Sequence, residues 1–247
     1  TGYCLYLPGH IPATVIMSTK DQIVLDSLFR DIVKFYSSSH TSLITLRAII
    51  EAIKDLDCVA DVFVSQLKEV CAIITNSQPR MFPIDNLILL FEQELEKQEY
   101  FKDKNIATMK SASIEIIENL MKRLEYDMSE LSKQGLSHIE DGDFIVLHAV
   151  EEPVELLMPE AKKTGKDFEV LILKQDATKT KQVINIMEQN SIKYTIIPEW
   201  DLIHYFDKVN KLFIGAHAIT LDGKFVSDSG TSNIVSECHI HKLPIYL

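Results

Sequence analysis

At 247 residues, 46% of them hydrophobic, the chain is long enough for one large or two smaller domains with an ample core. Its net charge of -11 is spread over both halves with no concentrated Lys/Arg surface, which points away from direct nucleic-acid binding. No run of about eighteen apolar residues appears, and no basic region followed by an apolar core opens the chain, so a soluble intracellular protein with no membrane attachment is expected.

After a segment spanning 1–20, the spacing predicts a helical domain over 21–112. Asp21 reads as an N-cap, and Val24, Leu25, Leu28, Ile32, Val33 and Phe35 recur at three and four residue steps that place them on one face. Ser37-Ser38-Ser39 breaks the pattern. A second helix is predicted by Leu43, Leu46, Ile49, Ile50 and Ile53, and a third by Val59, Val62, Phe63, Leu67, Val70 and Ile74. Between Gln78 and Pro83 two prolines interrupt helicity, since proline lacks an amide donor and restricts the residue before it. Helix resumes through Leu87, Leu90, Phe91 and Leu95, and the mixed charges from Glu92 to Lys104 read as a solvated helix face and loop.

A long amphipathic helix carrying Ile116, Ile117, Leu120, Leu124 and Met128 is predicted from about Ser113 to Ser132, within a connecting region 113–140. From 141 onward the period changes. The apolar runs Phe144–Leu147, Val170–Leu173, Tyr194–Ile197 and Leu212–Ile214 are separated by helix-length segments, and Ile245–Leu247 supplies a fifth. That alternation predicts a parallel sheet with helical crossovers, and continuous apolar runs suit strands covered on both faces.

The four cysteines, Cys4, Cys58, Cys71 and Cys238, are scattered and read as reduced thiols. Cys238-His239-Ile240-His241 falls late in a predicted helix, where adjacent residues point in different directions, so no metal site is expected. There is no Gly-x-Gly-x-x-Gly and no Walker loop, so no nucleotide cofactor has a cradle.

The most informative stretch runs from Lys211 to Gly223, is followed by Ser229-Gly230-Thr231 and closes with Pro244-Ile245-Tyr246-Leu247. A buried strand, Gly215-Ala216, a Gly230-Thr231 helix start and a second strand in this order resemble the regulatory alpha, beta and delta subunits of translation initiation factor 2B and their sugar-phosphate isomerase relatives. Gly215-Ala216-His217-Ala218 is most similar to the delta subunits. Supporting likenesses are Ile139–Leu147 at the first sheet strand, Lys166–Val170 at the next, Gln78-Pro79 with Asn86 upstream, and Leu5–His10 near the start.

The resemblance implies an α/β chain: an N-terminal all-helical domain, then a Rossmann-like parallel sheet domain, 141–247, without a dinucleotide motif. Family members continue beyond the strand that ends here at Leu247, so the chain is expected to be either truncated or a shortened version. A cytoplasmic, non-catalytic regulatory subunit of the guanine nucleotide exchange complex is implied, with a beta-like subunit and the alpha subunit of initiation factor 2 as partners. The alternatives are an aldose-ketose isomerase and a sugar-phosphate sensor without chemistry.

Departures from the isomerase pattern favour the first reading. His148-Ala149-Val150 stands where those relatives use a cysteine, and His217 where they use an aspartate. Lys174–Thr180 lacks their Arg-Pro and glycine, and Gln78 replaces an arginine. No catalytic, cofactor or metal residue is therefore assigned. The motif positions Gln78, Pro79, Asn86, Gly215, Ala216, His217, Gly230 and Thr231 are expected to serve structure or interaction. His217 should satisfy buried backbone groups, and Thr231-Ser232-Asn233 should cap the helix that Gly230 introduces.

Overall fold

The computed structural model describes residues 19–97 and 105–247. The chain divides into two compact units, the first ending at Glu125 and the second beginning at Tyr126. Cys4, Leu5–His10 and the charged residues 98–104 lie outside the described residues.

The first unit holds α1 (Thr19–Phe35), α2 (Ser38–Asp55), α3 (Ala60–Thr75), α4 (Phe82–Lys97) and the first part of α5 (Ile106–Gly135). Its core is the sum of the apolar faces that periodicity marks out. Leu46, Ile49 and Ile53 of α2 are buried with Phe63 and Leu67 of α3, Ile88, Phe91 and Leu95 of α4, and Ile117 of α5. Ser37, read as a break, is the N-cap of α2, its hydroxyl accepting the His40 amide at 3.2 Å. Pro83 does not interrupt helicity either; it falls in the first turn of α4, where an absent amide donor costs nothing.

Two expectations for α1 need correction. The helix begins at Thr19, so Asp21 lies inside its first turn and is not the cap. Its inner face is centred on Phe29, while Val24, Leu28 and Phe35, predicted to share the packing face, are exposed. With apolar residues on both sides, three and four residue steps can be counted along either.

α5 is longer than its prediction at both ends and continues through the 3-10 turn Leu136–His138. The second unit then follows in the order β1 (Phe144–His148), α6 (Glu152–Lys163), β2 (Glu169–Lys174), α7 (Ala177–Gln189) and β3 (Lys193–Pro198). A 3-10 turn, Glu199–His204, leads to β4 (Lys211–Ile214), and after it come β5 (Ala218–Ile219), β6 (Phe225–Val226), α8 (Thr231–Ile240) and β7 (Ile245–Tyr246).

Five strands form a parallel sheet in the order β3-β2-β1-β4-β7, and β5 pairs antiparallel with β6 as a small hairpin. Side chains alternate between two cores. Ile145, Leu147, Val170 and Ile172 pack with Leu157 and Met158 of α6 and Met187 of α7. Val146, Leu171, Leu173, Leu212 and Ile214 pack on the other face with Ile234 and Cys238 of α8. Covering both faces explains why these strands read as unbroken apolar runs.

At the opposite end from the site described next, Lys211 is buried, ion-paired with Asp143 at 2.6 Å and donating to the His138 carbonyl at 2.8 Å. It thereby fixes the chain's entry from α5 into the sheet.

Candidate functional site

From β1 the sheet extends one way through β2 to β3 and the other way through β4 to β7, so the strand order reverses between β1 and β4. In open parallel sheets the crevice beyond the carboxyl ends of the strands at such a reversal is where ligands bind. Here that edge carries His148-Ala149 after β1 and Gly215-Ala216-His217 after β4.

The two strand ends are tied together through backbone. Ala149 has φ 48°, a left-handed conformation costing a non-glycine residue about 1 kcal/mol, and it is held there from both sides. Its amide donates to Gln175 Oε1 at 2.9 Å, and its carbonyl accepts the Gly215 amide at 2.9 Å. Gly215 allows this approach because a Cβ there would overlap the Ala149 carbonyl oxygen and lie 2.7 Å from Glu151 Cγ. Ser227 donates from its hydroxyl to the Gly215 carbonyl at 2.8 Å, locking the far side.

The sequence suggested a histidine serving buried backbone groups; the geometry places the ring of His217 against two side-chain carboxylates. Its amide donates to Val226 at 2.8 Å, opening the β5–β6 hairpin, while the imidazole lies between two carboxylates. Nδ1 is 3.2 Å from Glu151 Oε1 and Nε2 is 3.0 Å from Asp228 Oδ1. Hydrogen bonding to both acceptors, Asp228 first, pushes the imidazole pKa up to about 9, so the ring is a cation with both nitrogens donating. The same contact with His217, aided by Lys179 Nζ of α7 at 3.0 Å, holds Asp228 down at about 2.

His148 next door behaves oppositely. Its buried ring is pushed down to about 4, mainly by desolvation, and is neutral. Nε2 meets Thr231 Oγ1 at 2.9 Å. Thr231 spends its own proton on the Asp228 carbonyl, 2.8 Å away, and therefore accepts from His148.

Gly230 precedes α8 at φ 92° with no side-chain cap, so the predicted capping by Thr231-Ser232-Asn233 is not what forms. The Thr231 hydroxyl turns back toward Asp228 and Ser227 instead. Left-handed geometry at Gly230 ends the β6 connection without capping chemistry.

Of the predicted positions, Gly215, Ala216, His217, Gly230 and Thr231 therefore gather at one edge of the second unit. Gln78, Pro79 and Asn86 belong to the first unit. The Gln78 amide donates to Asp26 Oδ1 at 2.8 Å, the Gln78–Pro79 bond is cis, and Asn86 lies on α4. Sequence reasoning missed Glu151, Lys179, Glu199 and Asp228. Two of these, Glu151 and Glu199, are acids just downstream of the parallel strands β1 and β3, a position that the rule for strand ends would have flagged.

Chemically, the arrangement is an ion-pair network of Glu151, His217, Asp228 and Lys179. A protonated His217 has no lone pair to act as a base near neutral pH, and Ala149 offers no nucleophile. Among the described residues no cluster of His, Cys, Asp and Glu is suited to a metal ion. Cys238 is buried against the sheet, whereas His241 stacks on Phe206 at 3.9 Å, so that pair diverges.

The chain matches the Initiation factor 2 subunit family over residues 34–247. It belongs to that family. It is 26% identical over 132 residues to translation initiation factor eIF2B subunit delta of Dictyostelium discoideum, covering 53% of this chain and 21% of the relative. A ribose 1,5-bisphosphate isomerase of Pyrococcus furiosus is 23% identical over 179 residues, 72% of this chain and 55% of that one. The chain thus spans about half, or less, of the curated relatives it matches. The crystal structure of the tetrameric eIF2B-beta2-delta2 complex from Chaetomium thermophilum includes a chain of the same fold. The TM-score is 0.78 at 21% identity, over 96% of this chain and 77% of that one.

Proposed function

We propose that this member of the initiation factor 2 family is a non-catalytic regulatory subunit of the guanine nucleotide exchange complex for initiation factor 2, acting in the cytoplasm. In this reading its sheet unit pairs with a beta-like subunit. Its helical unit meets the alpha subunit of factor 2 and contributes to sensing phosphorylation, a change of affinity between two states of one partner. The observation that carries the proposal is the clamp on His217, which occupies both ring nitrogens where the isomerase pattern has an aspartate. Likeness to a delta subunit and to the fold of a beta-delta assembly supports the choice of partners. Affinity purification of the tagged chain from an extract of its own cells is expected to recover a beta-like subunit together with the alpha subunit of factor 2. Recovery of neither overturns the proposal.

The isomerase likeness over 72% of the chain motivates a second reading, a sugar-phosphate enzyme or sensor. A ligand that binds the native state alone raises its melting temperature. No shift with ribose phosphates or nucleotides, and no turnover of ribose 1,5-bisphosphate, is the expected result. A saturable shift without turnover would favour the sensor, and turnover lost in His217→Ala would favour the enzyme.

A further inference from the structure

His148 is almost entirely enclosed, and one of its two ring nitrogens is unaccounted for. With Nε2–H committed to Thr231, Nδ1 presents a lone pair, and this buried atom has no hydrogen-bond partner. What faces it is Glu199 Oε1, 3.4 Å away on the turn after β3. A lone pair and a carboxylate are both acceptors, and setting a half-buried carboxylate against a buried lone pair is costly unless a proton stands between them. The other carboxylate oxygen, Oε2, lies beside Gly230.

We infer that His148 and Glu199 hold one proton between them in mildly acidic solution, donated from Glu199 Oε1 to His148 Nδ1, and that this proton fixes the turn that presents Trp200. It joins three segments: the end of β1, the Glu199–His204 turn and, through Thr231, the start of α8.

The surroundings favour that form. Burial raises the Glu199 carboxyl above its usual range and lowers His148, so both partners are driven toward neutrality. Asp228 is the charge acting on both, raising each, and its own partners His217 and Lys179 are spent on it. Glu151 is engaged by His217, and the first turn of α8 holds no acid. When pH rises through the raised Glu199 pKa the proton leaves, and the new carboxylate confronts both the Nδ1 lone pair and Asp228. The turn is then pushed from its seat. Leu202 anchors it in the core, while Trp200 and Ile203 stand 79% and 60% exposed.

Trp200 is the chain's single tryptophan and follows Glu199 directly, so its fluorescence reports this turn. Titration of the whole chain from about pH 4.5 to about pH 8.5 is expected to give an emission change with its midpoint above the ordinary carboxylate range. Glu199→Gln, whose amide N–H can serve Nδ1 at every pH, should hold the low-pH wild-type emission throughout. Asp201→Asn, altering the other neighbour of Trp200, should titrate like wild type. A flat wild-type curve, a Glu199→Gln curve that still titrates, or loss of the transition in Asp201→Asn overturns the inference. The nitrogen resonance of His148 Nδ1 in wild type gives an independent reading. It should move with the same midpoint, and constancy across the range overturns the shared proton whether or not the variants fold.

Discussion

Gly215→Val is expected to destabilise the sheet unit by at least about 3 kcal/mol. The first added carbon alone would overlap the Ala149 carbonyl, which is the acceptor of Gly215's own amide, and would press on Glu151 Cβ and Cγ. Neither can yield cheaply. Ala149 is already in left-handed geometry and fixed by Gln175, and Glu151 is held by His217. Relief therefore requires the ends of β1 and β4 to separate, breaking the hydrogen bond between them. Denaturant titration followed by far-UV circular dichroism measures the loss. A midpoint within about 0.5 kcal/mol of wild type would show that the close approach is not a constraint.

His217→Ala should cost about 3 kcal/mol near pH 6, toward the lower end for breaking a buried pair because the imidazole is not wholly enclosed. Removing the imidazole takes a cation away from the buried Glu151 and from Asp228, which keeps its ion pair with Lys179. The loss exceeds that expected from a histidine satisfying backbone groups, because what is stranded is charge. Its pH dependence has a defined sign. The folded pKa of about 9 lies above the ordinary 6.5, so the stabilisation is full below about 6.5 and is lost as pH rises through 9. On the acid side Asp228, lowered from 3.8 to about 2, retains its contribution above 3.8 and gives it up as pH falls through 2. The gap between wild type and variant should therefore be widest between about pH 4 and about pH 6.5 and shrink toward pH 9. Equal gaps at pH 6 and pH 9 would refute the charged clamp.

Much of the fold could be read from residue order because burial leaves a periodic trace. α2, α3, α4 and all five strands of the parallel sheet follow their apolar patterns to within a residue or a few. α1 shows the limit of this signal, since its exposed Val24, Leu28 and Phe35 repeat as regularly as its buried residues. The β5–β6 hairpin has two residues per strand, too few for any period to register. At the site, Gly215 and His217 stood out through the family resemblance, but their partners did not. Glu151, Lys179, Glu199 and Asp228 come from separate connections, and only the reversal of strand order between β1 and β4 brings those connections to one edge.

The same reversal has a consequence for biosynthesis. Ile145 pairs with Lys211, about 66 residues later in the chain. At roughly 5–20 residues per second, a ribosome that has made β1 needs on the order of 3 to 13 seconds more to deliver β4. During that interval β2 can cover one side of β1 while the other keeps its backbone donors and acceptors unpaired, the condition that invites wrong pairing. The contacts of Gly215 and His217 are then among the last to close. Nascent chains stalled between β3 and β4 should accordingly be the species most dependent on chaperones.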